Sequence, residues 1–185
     1  MAKHRVCPWW MGFVLASSLR KVFHHPGKIL GPHVREGMTM LDMGCAMGFF
    51  SLEMAHLGGE TCSVICVDMQ EKMIAYLLKR AEKSGAKERI RPHVTDGKGL
   101  NLPGHAATVD FALAFYMIHE VEEPVAAIQE IYAALKRGGR LLVTEPSFHV
   151  TEGEFEKTEK ILTETGFAVI DRPLIRKSHT LLLEK

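Results

Sequence analysis

The chain has 185 residues, 46% of them hydrophobic, which suits one domain with a sizeable core and excludes a disordered chain. Its 23 Lys and Arg nearly cancel its 22 Asp and Glu, so no broad basic field recruits duplex DNA or RNA, and no nucleic-acid partner is expected. Four cysteines without a CxxC pair (Cys7, Cys45, Cys62, Cys66) fit free thiols in a reducing cytoplasm, ten scattered histidines offer no metal-ligand spacing, and no apolar run reaches the ~20 residues that span a bilayer.

In chain order, "MAKHRVCPWWMGFVLASSLRK" opens with a basic head and an apolar stretch, the outline of a signal peptide. Pro8 and the Trp9-Trp10 pair fall early in that stretch, and "SSLRKVF" carries a helical pattern straight into "HHPGKIL". Residues 1–36 are therefore read as an N-terminal helical lid segment and 37–185 as the main domain. Strands are expected at 38–42, 63–67, 90–94, 109–115, 140–144, 167–172 and 180–184. Helices are expected at 47–57, at 69–84 with apolar residues Met73, Ile74, Leu77, Leu78 and Ala81 at helical spacing, and from Pro124 to about Lys136. A further helix starts at Thr151, with Glu154 placed for a capping box, and ends near Gly166. This alternation predicts an α/β fold: a doubly wound, mainly parallel seven-stranded sheet closed by a C-terminal antiparallel hairpin. Ligands of such sheets bind outside the carboxyl ends of the strands.

The stretch "MTMLDMGCAMGFFSLEMA" puts glycines Gly44 and Gly48 directly after a strand. A dinucleotide fingerprint needs GxGxxG; here the spacing is G-x-A-x-G, with Ala46 in the middle and Asp42 just before. An acid there would repel a pyrophosphate but suits a ligand carrying an ammonium and a sulfonium group.

"LDMGCAMGFF" resembles motif I of the class I S-adenosylmethionine-dependent methyltransferases, usually D/E-x-G-x-G-x-G. "VICVDM", "HVTDGKGLNLP", "VDFALAFYMIHEV" and "ALKRGGRLLVTEP" resemble that family's following segments, in order and at matching spacing from about Val34 onward. The pattern is most similar to the methyltransferase 11 group, with its ubiquinone/menaquinone C-methyltransferases. The resemblance implies a Rossmann-like domain over 37–185, S-adenosylmethionine as cofactor and S-adenosylhomocysteine as product. It assigns Asp42, Gly44, Cys45, Ala46 and Gly48 to the methionine end, Asp68 to the ribose hydroxyls, Met69 to the adenine face, and Asp96 with Gly97 to the adenine edge. Phe115 falls near the methyl group. Ala46 and Cys45 depart from the usual motif. Other roles stand beside these: a helix N-cap for Asp68, a turn for Asp96 before Gly97, and plain packing for Met69.

The fourth strand ends "FYMIHEV" and lacks the N/D-P-P-Y/F of nucleic-acid amine methylators, which favours a small-molecule acceptor. His119 is the candidate base or substrate orienter, because an imidazole titrates near neutrality; a histidine bonded to backbone is the other reading. Tyr116 points either into the pocket or into the core. Glu145 and His149, after the fifth strand, are further candidates for substrate contact. Trp9 and Trp10 are expected to wall an apolar or aromatic acceptor, to form a homodimer interface, or to touch a membrane surface. Two alternatives remain: a non-catalytic cofactor-binding protein acting through the Trp face, and a metalloid or thiol methyltransferase using Cys7 and Cys45.

Overall fold

The structure, a computed structural model, describes residues 24–97, 99–102 and 104–185. The Trp9-Trp10 segment, Cys7 and residues 1–23 of the expected lid lie outside them. The described chain divides into two compact units, 24–95 and 96–185.

The first unit opens with the short helix α1 (Pro26–Leu30), where proline occupies the first turn, the place in a helix that needs no N–H. It continues through β1 (Thr39–Met43), α2 (Ser51–Leu57), β2 (Ser63–Asp68), α3 (Glu71–Lys83) and β3 (Ile90–Val94). β1 pairs with β2 in parallel, Leu41 opposite Ile65 and Asp42 opposite Cys66, and β2 pairs with β3 in parallel. β1 and β2 are buried along nearly their whole length, as expected of strands covered on both faces. α3 buries Met73, Ile74, Leu77 and Ala81, the stripe its sequence spacing predicts. β3 is largely exposed and carries Pro92, a residue that sheets tolerate at their edges because it has no N–H to donate.

The second unit contains β4 (Val109–Phe115), a one-turn 3₁₀ helix (Ile118–Glu120), α4 (Pro124–Ala134), β5 (Leu135–Pro146), α5 (Glu152–Thr165), β6 (Ala168–Asp171) and β7 (Ser178–Glu184). β4 and β5 are parallel, and β5, β7 and β6 pair antiparallel in that order. Leu113, Leu141, Val143, Leu181 and Leu183 are fully buried, each contributing about 1.5–3 kcal/mol of transfer free energy. The seven strands follow the order β3-β2-β1-β4-β5-β7-β6 in one sheet. Mostly parallel strands and a C-terminal antiparallel hairpin are the predicted fold class.

Several boundaries differ from the sequence-based expectation, and three of them have a visible cause. The helix after the glycine loop starts at Ser51 rather than at residue 47, because Ala46 and Gly48 have φ of +47° and +79°, outside the helical region. α4 stops at Ala134, where the Lys185 ammonium donates to the carbonyls of Tyr132 and Leu135 at 2.5 and 2.8 Å. β5 begins there and runs through Gly138 and Gly139, whose backbones bond to Lys185. Residues 137–139, expected to separate the helix from the strand at 140–144, are thus part of the strand.

Candidate functional site

In the unit 24–95, the chain leaves β1 through a tight loop. Gly44, Ala46 and Gly48 all have positive φ, so the backbone turns sharply three times within five residues. Glycine is needed most at Gly48, where a Cβ would lie 2.2 Å from the Cδ1 of Leu77. Ala46 adopts the left-handed conformation with a side chain, at about 1–2 kcal/mol. What holds it there is Asp68: the carboxylate accepts the Ala46 N–H at 2.9 Å on one oxygen and the Gln70 N–H at 2.8 Å on the other. Burial pushes the Asp68 carboxyl up, against the backbone N–H groups of Gln70, Ala46 and Met69 that pull it down. From below, Cys45 N–H bonds to Val67 O at 3.0 Å, and the Arg80 guanidinium donates to Met47 O.

Asp42 is buried, and the Ser51 hydroxyl donates to it at 2.5 Å. The acid therefore ties the end of β1 to the start of α2. Cys45 is also buried; burial, with Cys66 and the charges of Asp42 and Asp68 alongside, pushes its thiol well above the ordinary value. A neutral, enclosed thiol is a poor metalloid ligand, since the thiolate is the binding form. Met69, directly after β2, is 43% exposed, so plain core packing does not account for it.

In the unit 96–185, Asp96 is exposed and accepts from the Asn101 amide at 3.2 Å, while Gly97 has φ +83°. The loop beyond is pinned by Glu130 of α4, which accepts the Leu100 N–H at 3.0 Å. Phe115 ends β4, buried, with the Tyr116 ring 4.5 Å away. Tyr116 has φ +61°, a strained conformation for an aromatic residue. Its N–H bonds to Thr144 O at 2.7 Å, and its hydroxyl meets Ser178 Oγ at 2.6 Å. The half-buried ring reaches the start of β7 through that hydroxyl.

His119 sits in the 3₁₀ turn after β4. Its Nδ1 pairs with Oε2 of Glu145, near the end of β5, and Oε1 of the same carboxylate accepts the Ile118 N–H at 2.9 Å. Glu145 is 1% exposed, and among the described residues it bonds to His119 and Ile118. The Glu120 carboxylate lies 3.9 Å from His119 Nε2, and the His149 ring centroid 5.1 Å from that of His119. Burial lowers the His119 pKa, but the hydrogen bond and charge of Glu145 and the charge of Glu120 outweigh it, and the net shift is upward. Sequence reasoning found His119 and Glu145 separately and missed their pairing; the one available signal was that both follow strands. Ser51, Arg80 and Glu130 carried no signal, because each acts through a contact with a distant loop.

Each unit thus gathers its own set. Asp42, the 44–48 loop and Asp68 come together in the first, and Phe115, Tyr116, His119, Glu145 and His149 in the second. A family model described as a methyltransferase domain matches residues 34–175. The chain belongs to that family. This methyltransferase domain is similar to the ubiquinone/menaquinone biosynthesis C-methyltransferase UbiE of Citrobacter koseri, 29% identical over 119 residues, 64% of this chain and 47% of that protein. It is equally similar, at 29% over 114 residues, to the demethylmenaquinone methyltransferase of Shouchella clausii, covering 62% of this chain and 47% of that one. The chain spans about half the length of these curated relatives. Among solved structures, a SAM-dependent methyltransferase from Aquifex aeolicus superposes with a TM-score of 0.83 at 23% identity, over 96% of this chain and 98% of that one. The [4+2]-cyclase SpnF superposes at 0.69 and 23% identity, over 82% and 60%. Those superpositions establish the fold, Rossmann-like as predicted. A methyltransferase domain of class I implies S-adenosylmethionine as its cofactor.

The residues present fit that cofactor. The Asp68 carboxylate has about four lone-pair sites against the backbone N–H groups that face it, so it can also accept a hydroxyl. The triple turn at 44–48 brings bare backbone to the end of β1.

Proposed function

We propose that this methyltransferase domain transfers a methyl group from S-adenosylmethionine to a proton-bearing small molecule, with His119 as the base. The observation that carries the cofactor half is the Asp68 carboxylate bonded to the Ala46 N–H, which fixes the glycine loop and the ribose acceptor in one piece. The cofactor supplies, when bound, an electrophilic methyl group on a sulfonium. The chain does the rest. Asp68 accepts the ribose hydroxyls, Asp42 stabilises the loop that faces the ammonium end, and Met69 offers an apolar surface to the adenine. Asp96 and Gly97 meet the adenine edge, and Phe115 closes the methyl end. His119 Nε2 would take the acceptor's proton as the acceptor–methyl bond forms and the methyl–sulfur bond breaks, with S-adenosylhomocysteine leaving as the neutral thioether. Tyr116 is a supporting residue that fixes the strand end through Ser178.

The acceptor class to test first is a hydroquinone, because two similar proteins are named for quinone methylation. A ring hydroxyl that loses its proton to a base makes the ring carbon beside it nucleophilic; after methylation that carbon loses its own hydrogen as a proton and the ring oxygen regains one, restoring the aromatic ring. The buried, free thiols Cys45, Cys62 and Cys66 support a reducing compartment such as the cytoplasm.

Calorimetric titration with S-adenosylmethionine, S-adenosylhomocysteine and NAD tests this reading. Binding of the first two and not the third, weakened at least about 10-fold by Asp68→Ala, supports it, and screening of hydroquinones, phenols and thiols follows. Absence of adenosyl binding in the intact protein overturns it.

A further inference from the structure

Glu145 has almost no exposed surface with which to touch a substrate, and it spends both carboxyl oxygens on neighbours. Oε1 takes the Ile118 N–H at 2.9 Å, and Oε2 takes His119 Nδ1. We propose that Glu145 is the positioning residue of a His–Glu dyad, holding His119 with its proton on Nδ1 so that Nε2 is the ring's acceptor. The inference rests on the methyl-transfer reading for its purpose, but not for its geometry.

A carboxylate only accepts hydrogen bonds, so a neutral imidazole facing it through Nδ1 must place its one proton there. The lone pair is then on Nε2, the nitrogen a base needs. The Ile118 N–H makes the arrangement directional. It fixes which oxygen of residue 145 is already committed, at the backbone of the residue next to His119. In Glu145→Gln the amide oxygen keeps the Ile118 bond, and the NH₂ then faces Nδ1. Two donors cannot pair, so the neutral ring must move its proton to Nε2 and lose its acceptor there. A near-isosteric change thus converts a base into a donor.

The other groups around the ring cannot do this. Glu120, from the same 3₁₀ turn, is 3.9 Å from Nε2, beyond hydrogen-bond distance, with its side chain 33% exposed; it favours the charged ring without selecting a tautomer. His149, from the loop after β5, packs ring to ring at 5.1 Å.

Long-range ¹H–¹⁵N correlation spectra of the ¹⁵N-labelled full chain across pH ~5 to ~9 read the tautomer directly, with His119 assigned by its absence in His119→Gln. The expected result is a neutral His119 protonated on Nδ1, with a midpoint above the ordinary value of about 6.5. In Glu145→Gln the neutral ring carries its proton on Nε2 and the midpoint falls; in Glu120→Gln the midpoint falls but the Nδ1 proton stays. Once an acceptor is in hand, Glu145→Gln lowers kcat about 100-fold or more with KM for the cofactor unchanged. A wild-type ring protonated on Nε2 overturns the proposal without any variant, and so does a Glu145→Gln protein that keeps the Nδ1 proton. Cofactor titration by calorimetry is independent of these spectra, so failure of the dyad and failure of the methyl-transfer reading are told apart.

Discussion

Gly48 and His119 show two ways a single position becomes fixed. At Gly48 the constraint is steric: φ is +79° and a methyl group would run into Leu77, itself fully buried and unable to withdraw. Gly48→Ala is expected to cost about 2–4 kcal/mol in urea unfolding, from left-handed strain and overpacking together. Leu77→Ala should return part of that loss in the double variant, and strictly additive losses would show that the clash is not the cause. At His119 the constraint is electrostatic. Its folded pKa is raised above the unfolded value, so the folded state binds its proton more tightly. The resulting stabilisation is fully present below about pH 6.5 and fades as pH rises through the folded pKa. The stability difference between the wild type and His119→Gln should therefore be larger at pH ~6 than at pH ~8.5; a difference that grows with pH would mean the shift has the opposite sign. Asp68 joins both kinds of constraint; the helix N-cap is Gln70 rather than Asp68, and Asp68 accepts the Gln70 N–H beside it.

At the scale of elements, the best-specified helix is α5. The Thr151 hydroxyl accepts the Glu154 N–H at 3.3 Å, the Glu154 carboxylate accepts the Thr151 N–H at 2.8 Å, and Gly166 closes the helix at φ +115°. These are local rules, and the S/T-x-x-E pattern made them readable in advance. Thr151→Ala should lower stability by about 1 kcal/mol in denaturant titration, while leaving adenosyl binding unchanged because the cap touches neither the 44–48 loop nor Asp68. The ends of α4 and the start of β5 were not readable in this way. Whether "LKRGG" continues a helix, turns or begins a strand depends on Lys185, 50 residues further along, whose ammonium caps the helix end.

For the whole molecule, cofactor binding and folding are linked, because a ligand that binds only the folded chain stabilises it. S-adenosylhomocysteine at 100 times its dissociation constant should add about 2.7 kcal/mol, a rise in Tm of about 5–10 °C for a chain of 185 residues. Asp68→Ala at the same concentration should show a clearly smaller rise, and an undiminished rise would remove Asp68 from the site.

The order of strands and helices, the loop glycines, the cap at Thr151 and the closing hairpin were all present in the residue pattern. Each follows from periodicity, turn chemistry or backbone freedom within a few neighbouring residues. The same holds for Asp42, Asp68 and His119 as candidates, since each stands just after or within a strand end. What they pair with was decided by tertiary structure. Ala46 meets Asp68 across 22 residues, and His119 meets Glu145 across 26. Strand register puts those groups side by side, and register is a property of the assembled sheet that no local stretch of the chain contains.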